Sequence, residues 1–398
     1  MPMEHFPIVL ALVRAAMRAP NSAVLQHANR LREALAEGGA DVEAEALRIA
    51  VEATKPNSGK LLPARVVQSR AVSSGETLTI NTAAPVDKET SAPLAEIWPL
   101  EKLTALDQPI LDERLGRAVG HLVQQWVGAD LLNAAGVKVP RSALLFGPPG
   151  TGKTRLVLSI AKTLGLPVVL ARLDGITSSF LGTTARNVRS LFDFANRYRC
   201  LLLLDEFDGI AKLRDDPQEL GEVKRVVNAV LQAMDSRASV GLTLAVTNHE
   251  GLLDPAVWRR FDARVHITLP DVGTRSAIID RYLTGFATAG SLKVLAWMTE
   301  GFSGSDLETM CDFIKRHVTL NPDEQPSVLA SVELFLDLSA TLTRLSPVEA
   351  LRKGHSGWVQ EALSNREIKL TQSDIAEIMG STQSKVSRLA SRAVDKVT

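Results

Sequence analysis

The apolar run Ala143-Leu144-Leu145-Phe146 leads directly into Gly147-Pro148-Pro149-Gly150-Thr151-Gly152-Lys153-Thr154, which fits the pattern G-x-x-x-x-G-K-[ST]. A chain with these letters in this order has few ways to fold. The apolar run reads as a buried strand, and the glycines read as a loop whose backbone N–H groups turn inward. The helix starting about Lys153 points its positive end at the same place. The loop is therefore a cradle for phosphate. Lys153 supplies a point charge for the outer phosphates, and the Thr154 hydroxyl is placed to hold Mg2+.

A second half of the site lies downstream. Leu201-Leu202-Leu203-Leu204-Asp205-Glu206 is a buried strand ending in two carboxylates. Beside a phosphate cradle, Asp205 holds Mg2+ through water, and Glu206 orients and deprotonates the attacking water. Further candidate strands are Pro167–Ala171, Leu242–Thr247 and Ala263–Ile267, each short, apolar or β-branched, and separated from the next by helix-length sequence. That alternation predicts an α/β fold: a parallel sheet covered by helices on both faces, in three αβα layers. Past Pro270 the pattern is wholly helical, and Thr274–Gly285, Ser291–Met298 and Ser305–Leu320 predict a small α-helical lid.

A length of 398 residues exceeds one average core. Helical spacing of Leu25, Ala28, Leu31, Leu35 and of Val42, Ala46, Ile49 predicts a small all-α N-terminal module at 1–54. Ser, Thr, Pro and Gly then predominate, so 55–95 reads as a flexible linker, with Thr77–Ile80 a weakly β-like patch inside it. The large domain follows at 96–270, the lid at 271–321, a helical extension at 322–364 and a C-terminal module at 365–398. The 45 basic and 45 acidic side chains cancel, so any surface for a polyanion has to be local. Cys200 and Cys311 are too few for a disulfide framework or a four-ligand zinc site, and read as core residues in a reducing cytosol. Phe6 to Val13 is too short to span a bilayer, and Arg14 and Arg18 follow it, unlike the basic start of a signal peptide. A cytoplasmic protein without a membrane partner is expected.

With the cradle and the acidic strand in this order, the chain resembles the AAA ATPase family over about Leu100 to Leu320. The resemblance implies ATP and Mg2+ as cofactors and hydrolysis of ATP to ADP and phosphate. Asn248, after Leu242–Thr247, matches the family's sensor-1 position, where a polar side chain helps orient the water beside Glu206. Asp254-Pro255-Ala256-Val257-Trp258-Arg259-Arg260-Phe261-Asp262 is similar to the arginine-finger segment. Arg260 is the first candidate for the finger and Arg259 the second, since the Pro-Gly that separates two arginines in many members is missing here. Gly301-Phe302-Ser303-Gly304-Ser305-Asp306-Leu307 resembles the small-domain motif of the branch without a sensor-2 arginine, which sets Gly304 and Ser305 near base and ribose. The same letters also read as a helix N-cap, and both readings can hold together.

The family places a pore-facing loop where this chain has Ser178-Ser179-Phe180-Leu181-Gly182-Thr183-Thr184. There Phe180 and Leu181 would grip an extended polypeptide while Gly182 lets the loop bend. The other reading makes Phe180 a core residue at the start of a helix, Ala185–Ala195. A finger supplied in trans implies subunits that meet at the nucleotide, and by resemblance a homo-oligomeric ring, expected to be a hexamer.

A further motif closes the chain. Leu370 to Leu389 fits a helix-turn-helix, with Ala376 as the small contact between helices, Gly380 at the turn, and Ile375, Val386 and Leu389 as the interhelical core. Gln383, Ser384, Lys385, Ser387 and Arg388 then form an outer face of amide, hydroxyl and cationic groups suited to DNA bases and phosphates. A helical pair used for protein contact carries the same letters. The expected function is an ATP-driven ring that remodels or unfolds a threaded protein client and is held near DNA by its C-terminal modules. The N-terminal module would recruit the client or a protein partner such as a protease. The alternative is an ATP-controlled DNA-binding regulator or DNA-handling switch.

Overall fold

The computed structural model describes residues 75–79, 81–173, 183–209, 220–237, 241–253, 255–339 and 346–394, together with Leu31, Leu35 and Ala40. The chain divides into two units, Met1–Lys60 and Leu61–Thr398. The N-terminal module expected at 1–54 therefore lies outside the described residues, apart from those three positions. The sheet and its helices belong to the second unit.

Among the described residues one sheet forms, from β1 (Ala95–Trp98), β2 (Ser142–Phe146), β3 (Val168–Ala171), β4 (Leu201–Leu204), β5 (Leu242–Thr247) and β6 (Ala263–His266), in the order β1-β3-β4-β5-β2-β6. β2 to β6 run parallel, and β1 is an antiparallel edge against β3. The leucine run of β4 shows why parallel strands read as continuously apolar. Leu201 and Leu203 pack with Trp126, Leu156 and Ile160 on one face, while Leu202 and Leu204 pack with Val188, Phe192 and Val230 on the other. The first face is covered by α1 (Leu100–Thr104), α2 (Glu113–Val127), α3 (Ala129–Ala134) and α4 (Lys153–Leu164), and the second by α5 (Thr184–Arg197) and α6 (Leu220–Arg237). A single turn, α7 (Pro255–Trp258), precedes β6.

The linker expected at 55–95 is corrected where it is described. Leu78 and Leu94 are buried, and the Asp87 carboxylate accepts the N–H groups of Glu89 (2.7 Å) and Thr90 (3.0 Å) and the side-chain amide of Asn187 on α5 (2.6 Å). The Arg172 N–H reaches the Leu94 carbonyl at 2.9 Å, and β1 continues directly from there. This segment is docked because its partners lie on β3 and α5, far away in sequence. The β-like patch expected at Thr77–Ile80 forms no strand among the described residues 77–79, although Glu76 just before it bridges Tyr198.

Arg237 ends α6 with its guanidinium wholly buried under the sheet. It donates to the carbonyls of Cys200 (2.9 Å) and Leu242 (3.3 Å) and to the Asn196 side-chain oxygen (3.1 Å), which ties together the starts of β4 and β5. Burial holds its pKa below the usual guanidinium value. Hydrogen-bonded carbonyls are what make such a buried cation tolerable.

The remaining helices are α8 (Val272–Leu283), α9 (Ala289–Met298), α10 (Gly304–Leu320), α11 (Val328–Leu338), α12 (Ser346–Lys353), α13 (His355–Ser364), α14 (Gln372–Ile378) and α15 (Gln383–Val394). They share one core, in which Ile279, Leu295, Phe302, Ile314, Phe335, Trp358, Ile375 and Val386 belong to a single apolar cluster. The divisions expected at 321 and 364 thus fall inside a continuous core. Both cysteines are buried free thiols, and burial pushes the Cys311 thiol up to about 12.

Candidate nucleotide site

Gly147 leaves the C-terminal end of β2 at φ 141°, and a side chain there would run into the Ile267 carbonyl, so the loop can pass between β2 and β6 only as glycine. The chain then turns through Pro148, Pro149, Gly150 and Thr151 to Gly152, which sits at the N-terminus of α4. Lys153 is buried, and its ammonium donates to the carbonyls of Gly147 (2.9 Å) and Pro148 and, more weakly, to the Thr151 hydroxyl (3.4 Å). Burial pulls its pKa down, while the negative charges of Asp205, Glu250 and Asp208 pull it up, with a net lowering. A partly desolvated cation at a helix N-terminus is a strong attractor for phosphate.

The acidic strand arrives beside this loop. The Thr154 hydroxyl donates to Asp205 Oδ2 at 2.8 Å, which brings the two expected Mg2+ groups together. One carboxylate and one hydroxyl suit Mg2+, which keeps several waters and takes further oxygens from substrate phosphates. Among the described residues no group of three or more His, Cys, Asp or Glu side chains could hold a metal. Glu206 follows with a left-handed backbone, φ 49°. Its N–H donates to Asp205 Oδ1 (2.9 Å), its carbonyl accepts the Gly209 N–H (2.8 Å), and the next N–H, of Phe207, reaches the Val246 carbonyl (2.8 Å). Such a conformation costs on the order of 1–2 kcal/mol outside glycine, and this turn, anchored by buried Phe207, holds it.

Asn248 leaves the C-terminal end of β5 and lines the same cleft of about 420 Å³ as Gly150 to Leu156, Asp205 and Glu206. From the lid, Gly304 and Ser305 also line it, and the Ser305 N–H donates to the Gly150 carbonyl at 3.0 Å. The capping reading of this motif holds too: Ser303 and Asp306 exchange bonds in a capping box. Sequence reasoning passed over the rest of the wall. Pro109, Ile110 and Leu111 before α2, Ile278, Arg281 and Tyr282 of α8, and Glu308 of α10 also line the cleft. Arg155 donates to the Tyr282 hydroxyl (3.3 Å), which raises the Arg155 pKa, and Arg281 donates to the Gln108 carbonyl (2.7 Å). The only signal for them in the sequence was a pair of extra cations, Arg155 beside the cradle and Arg281 in a helix.

The two candidate fingers lie elsewhere. β6 is parallel to β2, so Arg259 and Arg260, which precede β6, sit at the sheet edge opposite the cradle that follows β2. Four residues of strand put about 13 Å between those edges. Arg260 is half-exposed and pairs with Asp235 of α6 at 2.9 Å, whereas the exposed Arg259 guanidinium has no polar partner among the described residues. Asp262 anchors the segment by accepting from the N–H of Arg141 (2.8 Å), from Ser142 and from Lys138 (2.9 Å). Burial alone would raise the Asp262 pKa, but these donors outweigh it and hold the carboxyl below its usual range.

Phe180, Leu181 and Gly182, expected in a pore loop, lie outside the described residues. In the C-terminal pair, Thr371 and Asp374 form a capping box on α14, Gly380 turns the chain at φ 55°, and Ala376 and Val386 are buried. Gln383, Ser384, Lys385, Ser387 and Arg388 are all exposed along α15.

A P-loop with an adjoining acidic strand, a polar residue at the end of the next strand and a helical lid define a nucleoside-triphosphate site. The family model of AAA, the ATPase family associated with various cellular activities, matches residues 143–269, and the chain carries an AAA ATPase domain. It is 38% identical over 198 residues to an uncharacterized AAA family ATPase, y4kL, of Sinorhizobium fredii, a match covering 48% of this chain and 58% of that one. It is 38% identical over 181 residues to ATP-dependent zinc metalloprotease FtsH 3 of Sphaerobacter thermophilus, covering 44% of this chain and 37% of the relative. With 26S proteasome regulatory subunit 10B homolog A of Arabidopsis thaliana it shares 31% identity over 191 residues, 46% of this chain and 48% of the other. The chain thus spans roughly half or less of the length of most of these relatives. No helix among the described residues is long and apolar enough to cross a membrane.

Proposed function

We propose that this chain hydrolyses ATP as one subunit of a homo-oligomeric ring, expected to be a hexamer, and uses the energy to remodel or unfold a protein client. The observation that carries the reading is the meeting of Thr154 and Asp205 at 2.8 Å, with Glu206 held beside them and Lys153 buried in the cradle. Thr154 and Asp205 would hold Mg2+, which would offset the charge of the outer phosphates. The cradle N–H groups and Lys153 bind and orient the phosphates, Thr154 and Asp205 hold the metal, and Asn248 positions the water that Glu206 deprotonates. The base and ribose would lie along the wall that Ile110, Leu111, Ile278, Tyr282, Gly304 and Ser305 give the cleft.

Assembly into a ring is supported by the arginines. Neither Arg259 nor Arg260 can reach the cleft of its own subunit, so a finger drawn from this segment serves a neighbour's γ-phosphate. Protein as the client is supported by the names of the relatives, a protease and a proteasome regulatory subunit. The pore loop at Phe180, Leu181 and Gly182 is the proposed grip, and a protease is one partner that fits the N-terminal module.

The exposed face of α15 favours a second role, binding DNA through Gln383, Ser384, Lys385, Ser387 and Arg388. In the alternative reading this role is the whole function and ATP only switches it. One experiment tests the main proposal and separates the two. Rings of Glu206→Gln, loaded with ATP, should trap a client, and the captured material should be protein that is lost on Phe180→Ala. Capture of DNA alone, unaffected by Phe180→Ala but abolished by Arg388→Ala, would turn the assignment to the DNA switch.

A further inference from the structure

The acidic side chains of α14 face the lid. Glu377 accepts from the Thr288 hydroxyl and from the Gly290 N–H (3.1 Å), at the N-terminus of α9, where a helix dipole favours negative charge. Asp374 caps its own helix and also pairs with Lys293 of α9 at 3.4 Å. The two helices touch so closely that a Cβ on Gly290 would meet the Glu377 carboxylate carbon at 2.8 Å and the Asp374 Cα at 2.9 Å. Beneath these polar ties, Ile375, Ala376 and Val386 share the core of Ile279, Leu295 and Met298.

The same lid is tied to the cradle at its other end. Ser305 binds the Gly150 carbonyl, Tyr282 binds Arg155 of the P-loop helix, and Arg281 binds the Gln108 carbonyl. Phosphate in the cradle and a base beside Tyr282 have to rearrange these few contacts. From the lid onward, by contrast, the packing is continuous to α15. Because Asp374 and Glu377 are spent on the lid, Lys385 and Arg388 stand among neutral groups on the outer face of α15.

We infer that α14 and α15 are part of the lid's rigid body, so that nucleotide in the cradle, by shifting the lid, re-aims the cationic face of α15 toward or away from a nucleic acid. The nucleic-acid half of this inference rests on the DNA role proposed above, while the mechanical half does not. Packed cores transmit a small displacement as a whole rather than deforming, so the angle set at Gly150 and Tyr282 is carried to Arg388.

The test uses the full chain. Both native cysteines are buried, so spin labels can be placed in pairs at exposed sites through Arg117→Cys on α2, Arg316→Cys on α10 and Ser391→Cys on α15, with labelled chains diluted into unlabelled ones. Between ADP and a non-hydrolysable ATP analogue, the distance from 316 to 391 should stay fixed, while those from 117 to 316 and from 117 to 391 change together. A change between 316 and 391, or no change between 117 and 316, overturns the inference.

The affinity of the same chain for a short random-sequence DNA duplex should differ by about fivefold or more between the two nucleotides. Glu377→Ala, or the milder Glu377→Gln, should keep duplex binding and shrink that difference. Equal duplex affinity in both nucleotides, with the labels moving as expected, overturns the coupling to nucleic acid. No duplex binding in any state, with the labels still moving together, sinks the DNA role and leaves the rigid-body half standing.

Discussion

In the nucleotide cleft, Lys153, Asp205, Glu206 and Asn248 come from two strand ends and a helix start and converge on one shared space. In the C-terminal pair, Asp374 and Glu377 are consumed in caps and ties to the neighbouring helix, and the cations are left facing solvent. One region gathers charge for chemistry and the other uses charge to fasten itself in place. A substitution in the first should therefore change rates at constant stability, and one in the second should change stability or coupling at constant turnover.

The largest effects should come from the chemistry. Arg260→Ala is expected to lower turnover by about a thousandfold or more with ATP binding retained, with Arg259→Ala much milder. Mixing Arg260→Ala with Lys153→Ala chains should restore part of the activity in a steady-state phosphate-release assay. If Arg259→Ala shows the larger loss, the role passes to it, and the Asp235 ion pair is then what holds Arg260 away. Glu206→Gln should cost about 10²–10⁴ in rate, again with nucleotide bound. Normal turnover in that variant would remove Glu206 as the base.

Smaller effects should follow from packing. Arg237→Ala leaves the carbonyls of Cys200 and Leu242 without a donor and opens a cavity, for an expected loss of about 3 kcal/mol or more in a denaturant melt. Glu377→Ala removes an anion from a helix N-terminus, about 1 kcal/mol, and should leave basal turnover unchanged. A large loss of turnover there would erase the contrast between the two regions. Asp262 gives a pH signature. Its folded pKa is depressed, so its stabilisation is present above the unfolded carboxylate value, near 4, and is lost as pH falls through the lower folded value. Asp262→Asn should be less stable at neutral pH and lose less on acidification, as read by melting temperature against pH.

The parts that were legible share a physical reason. The cradle, the leucine strand and Asn248 after its strand are each read from a short local stretch, and each is forced by local needs: a backbone turning on an anion, a strand buried on both faces, a polar group at a strand end. The missed parts depend on partners far away in sequence. β1 is an edge strand of four residues held by β3, and the segment around Asp87 looked unstructured because its anchor is Asn187. Arg237 reads as an ordinary cation at a helix end, and nothing in the letters shows the sheet lying over it. Tyr282 and Arg155 meet across the cleft from positions far apart in the chain.

From its letters alone, the chain determined that it binds a nucleoside triphosphate on an α/β sheet with a helical lid, because those motifs encode local backbone geometry. Only the tertiary structure decided that the two candidate fingers sit at the end of the sheet opposite their own cleft and that the last two helices share the lid's core. Both follow from strand direction and core continuity, which exist only once distant segments have packed together.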